Sequence, residues 1–236
     1  YKMSPEQIRS FKPDAFGVFE TILGKNYEGL KDYMNIKKNN SIADIFNFNT
    51  IKHIPNKVLK DESVDIIITS PPYGDSATTV AYGQFSALSN QWLGYMENGR
   101  KLDHDLMGGQ KLKYFHKFNS EVLNDDIGKI ADIDKKRALE VVSFYKDYER
   151  SIKNILLKMK KGGYACFVVS NRTVKGNILN TDVITKDFFI KYGFNHINTF
   201  NRKISSKRMP RRNSSLGVAG KTSPLMNTES IVVMQK

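Results

Sequence analysis

Cysteine is almost absent. Cys166 is the sole one in 236 residues, so neither an internal disulfide nor a four-cysteine zinc site can form. It sits in the apolar run GYACFVVS, where a small buried hydrophobe is the expected role rather than a nucleophile. Histidine is scarce too. His53, His104, His116 and His196 are scattered without HExxH-type spacing, and no metal site is expected. Long hydrophobic runs are missing: nothing approaches the roughly 18 residues of a membrane span. No signal peptide is visible, so the expectation is a cytoplasmic protein with no membrane partner. Acidic residues are outnumbered, 24 against 37 lysines and arginines, for a formal net charge of +13. That balance favours a polyanion such as nucleic acid, although a surplus of surface lysine gives the same signal. The composition, 40% hydrophobic and 11% aromatic, can still bury a sizeable core in one large domain or two small ones.

Four segments follow from the pattern along the chain. Residues 1–40 form a helical segment, with Ile8, Phe11, Phe16, Phe19, Ile22, Leu23, Leu30, Tyr33 and Met34 at loose helical spacing. In residues 41–95, SIADIF reads as a short strand and VDIIIT as a clearer one, apolar on both faces as a helix-covered parallel sheet requires. GQFSALSNQWLG then places Phe85, Leu88, Trp92 and Tyr95 on one helical face, expected to pack on the core. Residues 96–133 read as a long inserted loop. Residues 134–236 open with a helix through Ala138, Val141, Tyr145, Tyr148, Ile152 and Met159, which Gly162 and Gly163 should end. The strand YACFVVS follows, then a helix capped by Thr181 or Asp182 and ended by Gly193. NHINTFNRKI and ESIVVMQ close the chain as a pair of strands. Helices alternate with strands, so the class is α/β.

The run VDIIIT ends abruptly in Ser70, Pro71, Pro72 and Tyr73. In doubly wound sheets, ligands sit beyond the carboxyl ends of the strands, which is where this loop falls. Two prolines in a row stiffen it and leave carbonyls that no ladder claims. A fixed carbonyl beside a short hydroxyl offers two acceptors, which match the two donors of an exocyclic amine. Tyr73 adds a flat face on which a planar base can stack, worth about 1–3 kcal/mol. The plainer reading is a strand terminator with a packed ring.

The stretch TSPPYGDSATTVAYGQFSALSNQWLG resembles motif IV of the amino-group DNA methyltransferases of bacterial restriction–modification systems. These S-adenosyl-L-methionine-dependent enzymes methylate cytosine N4 or adenine N6, and serine in first place is more typical of the cytosine branch. The resemblance implies a Rossmann-like methyltransferase sheet with helices on both faces. It implies that Ser70 and the Pro71 carbonyl hold the target amine, with Pro72 fixing the loop and Tyr73 stacking on a flipped base. SIADIF is similar to a motif III strand, which would put Asp44 near the adenine of the cofactor, with Thr69 and Ser70 beside it. GGYACFVVSNR and the strands after YGF are similar to the end of the same sheet, so the likeness spans residues 40–236 and is weakest across 96–133.

One expected part is not visible. The family's FxGxG turn after a strand has no counterpart: DAFGVFETILG lacks the second glycine, and LGVAGKTS lacks the spacing of a phosphate loop and follows no apolar strand. The sheet is therefore expected to be incomplete in this chain. The chain begins with Tyr1, and the missing segment is expected either in a second polypeptide or upstream in a longer one. Between Arg202 and Lys221 lie seven basic residues and no acidic one, among them Lys203, Lys207, Arg208, Arg211 and Arg212. They read as contacts to the phosphates of double-stranded DNA, or as a solvated loop. Lys111 and Lys113 are further DNA candidates within the inserted segment. Rival readings are an RNA or protein amide methyltransferase and a non-catalytic DNA-binding subunit.

Overall fold

The computed structural model describes residues 4–36, 42–75, 79, 82–95, 100–204, 212–213, 223–224 and 228–236. Two compact units emerge, residues 1–45 and 46–236. The first holds α1 (Pro5–Ser10) and α2 (Ala15–Ile36). Ser4 starts α1 with a reciprocal cap: its hydroxyl accepts from the Gln7 N–H at 3.2 Å, while the Gln7 side chain accepts from the Ser4 N–H at 2.8 Å. The expected strand SIADIF does not form. Among the described residues, Ile42 and Ile45 pair with no neighbouring strand, and residues 42–49 run on irregularly.

In the second unit, β1 (Val64–Thr69) lies at the edge of a four-stranded mixed sheet. The order is β1, β2 (Met159–Val169), β8 (Thr228–Gln235) and β5 (Asn195–Lys203). β1 and β2 are parallel, and both pairings of β8 are antiparallel. The crossover from β1 to β2 carries α3 (Tyr82–Trp92), α4 (Arg100–Asp105), α5 (Glu121–Ile133) and α6 (Lys135–Lys158). Two short antiparallel pairs, β3 (Arg172–Val174) with β4 (Asn177–Leu179) and β6 (Arg212–Asn213) with β7 (Ser223–Pro224), and α7 (Thr181–Lys191) complete the described elements of the unit. The mixed α/β class expected from the sequence is what forms.

Three local expectations change. The segment 96–133 is not one long loop: Leu123, Ile127 and Ile130 sit at helical spacing on α5 and are buried. Asp134 ends α5 and starts α6, its side chain accepting from the Arg137 N–H at 2.9 Å. Gly162 and Gly163 do not terminate α6, because β2 has already begun at Met159. Instead Gly162 (φ +78°) lies within the register shift between β1 and β2, and a Cβ on Gly163 would stand 2.9 Å from the Asp65 carbonyl. Finally, α7 is preceded by Asn180 rather than capped by Thr181 or Asp182, and Asn180 makes no side-chain cap bond.

The core lies on one side of the sheet. Ala165, Phe167 and Val169 of β2 and Val232 and Met234 of β8 are buried with Leu123, Ile130, Tyr145, Tyr148, Ile152 and Phe188 of the helices. The alternate residues face the other way. There Ile66 and Ile68 of β1 are 54% and 71% exposed, and Tyr164 and Phe200 are exposed beside them. Among the described residues of this unit, helices cover one face, not both. The apolar side of α3 is bare as well: Phe85 and Trp92 are 86% and 93% exposed, so α3 does not pack on the core as its spacing suggested.

Candidate functional site

Beyond the carboxyl end of β1 the chain turns out of the sheet at Ser70. Thr69 is half-buried, Ser70 exposed, and Pro71, Pro72 and Tyr73 half-buried. Neither proline can continue the ladder, so the strand stops where Pro71 begins. The loop returns toward Ser70: the Tyr73 hydroxyl lies 3.2 Å from Ser70 Oγ. The same hydroxyl donates to Glu229 Oε1 at 2.8 Å. Burial, together with the neighbouring carboxylate, raises the Tyr73 phenol above its ordinary pKa, so it keeps its proton at neutral pH. Glu229 is gripped in turn by Arg202, whose Nε and Nη2 donate to Oε2 at 2.9 and 2.7 Å. Hydrogen bonds from Arg202 hold the Glu229 carboxyl below the usual glutamate range. Beside Pro72, an apolar cleft of about 380 Å³ opens against Phe48, Tyr82, Leu102, Leu106 and Met107.

A buried ion network anchors the far side of the loop. Asp75 is 1% exposed and lies 3.4 Å from Arg137 Nη1 and 3.6 Å from Arg172 Nη1. Arg137 also binds Glu140 at 2.6 Å, and Lys111 closes the chain on Glu140. A Cβ on Gly74 would run into the Arg172 guanidinium, so the absence of a side chain there lets the loop sit flat against it. Gly108 (φ +71°) packs on the Asp75 Cβ, which a Cβ of its own would approach to 2.8 Å.

The residues singled out in the sequence thus divide. Ser70, Pro71, Pro72 and Tyr73 share one turn, exposed at Ser70 and half-buried from Pro71 to Tyr73. Arg202 is committed to Glu229, and Lys111 to Glu140. Lys113 is exposed on the segment before α5, and Lys203 is exposed at the end of β5. Arg212 begins the short strand β6, while Lys207, Arg208 and Arg211 lie outside the described residues. Asp44 is exposed in irregular chain of the first unit. Asp44 stands on no strand, and the residue that follows Thr69 and Ser70 is a proline rather than a glycine. Sequence reasoning missed Glu229, Asp75 and Arg172. Asp75 had a visible signal, an acid two residues past the tyrosine, whereas Glu229 opened an ordinary-looking strand.

No family model matches the chain. The chain is 38% identical over 251 aligned positions to the type II methyltransferase M.MvaI of Kocuria varians. All of this chain aligns, with 54% of that relative, so it spans about half the relative's length. A protein of Thermus thermophilus assigned as a DNA modification methylase, solved with S-adenosyl-L-methionine, overlaps with a TM-score of 0.36 and 16% identity. That overlap covers 75% of this chain and 48% of the other. A second structure of the same protein gives 0.35 and 16%, over 75% and 47%.

Proposed function

We propose that this chain is the base-handling part of a DNA methyltransferase that acts on an exocyclic amine. The observation that carries the reading is the Ser70–Tyr73 turn: an exposed hydroxyl, a proline-locked carbonyl and a tyrosine ring fixed through its own hydroxyl, all beyond the end of an edge strand. The extent of the likeness to M.MvaI supports it. A base drawn out of the duplex costs a few kcal/mol of stacking and pairing, which the ring and the amine contacts offset. Ser70 Oγ and the Pro71 carbonyl accept from the amine and draw density onto its nitrogen, while the loop holds that nitrogen in line for attack. Serine in first position favours cytosine N4 over adenine N6.

S-adenosyl-L-methionine is the methyl donor in this reading, and its cradle is assigned to a second polypeptide segment. Support comes from β1, an edge strand whose outer side pairs with no strand among the described residues and whose Ile66 and Ile68 are bare, so that another strand can extend it and helices can cover it. The basic stretch from Lys203 to Lys221 and the exposed Lys113 supply phosphate contacts that position double-stranded DNA without reading its sequence, while Arg202 stays on Glu229. Incubation with labelled S-adenosyl-L-methionine and DNA, tRNA or protein, with the cofactor-binding segment present, tests the proposal. Label entering DNA alone is expected; label entering only tRNA or protein would overturn it.

A further inference from the structure

We infer that Glu229 is a positioning residue that sets the direction of a hydroxyl chain at the clamp, so that Ser70 accepts from an amine and rejects a carbonyl. This deepens the proposed function and rests on it. A phenol carries one proton. Glu229, held by two guanidinium donors at 2.7 and 2.9 Å, can only accept, so the Tyr73 proton points to it across 2.8 Å. The Tyr73 oxygen then takes the Ser70 proton across 3.2 Å. With that proton turned inward, Ser70 Oγ presents lone pairs on its exposed side.

An amine arriving there finds acceptors, and a carbonyl finds lone pairs facing its own. Polarisation along the chain strengthens the match, because a hydroxyl that donates is a better acceptor, by about 10–30% per bond. Discrimination between an amino base and its keto counterpart therefore reaches back to β8, 156 residues from Tyr73. Arg202 belongs to the same device, since it keeps Glu229 charged.

The test is an NMR titration of the full chain with 1-methylcytosine, 9-methyladenine and 1-methyluracil, followed at Ser70 and Tyr73. The wild type is expected to bind the amino bases about tenfold more tightly than 1-methyluracil, the value of one ordinary hydrogen bond. Glu229→Gln, whose amide can donate to the Tyr73 oxygen and reverse the chain, should bring that ratio close to one. Tyr73→Phe, which keeps the ring and removes the middle hydroxyl, should do the same and serves where Glu229→Gln does not fold. Retention of the wild-type ratio in a folded variant overturns the inference while leaving the clamp intact. A wild type that answers to neither amino base overturns the proposed function itself.

Discussion

The Tyr73 hydroxyl donates to Glu229 Oε1 at 2.8 Å, which ties the loop after β1 to the start of β8 across the intervening β2. This one bond fixes the ring of the turn to the sheet. Tyr73→Phe should lower kcat for methyl transfer about tenfold with little change in KM, since the stacking face survives. Tyr73→Ala should weaken base binding by a further ~1–3 kcal/mol, because the face is gone. Steady-state kinetics on both variants separates the two contributions.

Arg202 gives the site a pH signature. Glu229 faces Tyr73 from the loop and Arg202 from β5, and its folded pKa is depressed. Its stabilising contribution is present above the unfolded glutamate pKa and is lost as pH falls through the lower folded value. Amino-base binding should follow the same curve and persist below the usual carboxylate range. Arg202→Met should move the acid limb upward, read by repeating the base titration across pH; an unmoved limb would separate Glu229 from binding.

The buried anchor of the loop should prove costly to break. Asp75→Ala leaves Arg137 and Arg172 facing each other in the interior without the carboxylate between them. Losing one partner of a buried pair costs about 3–5 kcal/mol. Chemical denaturation should show a loss of that order, whereas a change below ~1 kcal/mol would mean the network is not an anchor.

The bare side of β1 makes an opposite prediction. Ile68 is 71% exposed, so Ile68→Asp should change the stability of this chain by less than ~0.5 kcal/mol. If a second segment extends the sheet there, the same substitution should abolish its association, measured by calorimetry or gel filtration. Association that is unaffected would place the partner elsewhere.

Sequence periodicity identified the elements whose cores are continuous, namely β1, β2 and α6, and it placed Ser70 to Tyr73 at a strand end. It failed where the partner decides the outcome. The apolar spacing of Phe85, Leu88 and Trp92 did make a helix, yet nothing in spacing says whether that side is covered. In α5, Asp125, Asp126 and Gly128 break up the apolar run, and only the positions of Leu123, Ile127 and Ile130 betray the helix. The run around Asp44 shows the reverse case, a strand read from Ile42 and Ile45 that pair with no strand among the described residues. The link from Tyr73 to Glu229 was out of reach because it joins residues brought together by the antiparallel return of β8, a matter of topology rather than local pattern.

The proposed function turns on Ser70 and Tyr73 holding the target base. DNA from methylation-free cells expressing this chain with the cofactor-binding segment can be digested to nucleosides and weighed by mass spectrometry. The prediction is N4-methylcytosine that disappears in Ser70→Ala and Tyr73→Ala. No methylated amino base in the wild-type sample, or the same yield from both variants, would contradict it.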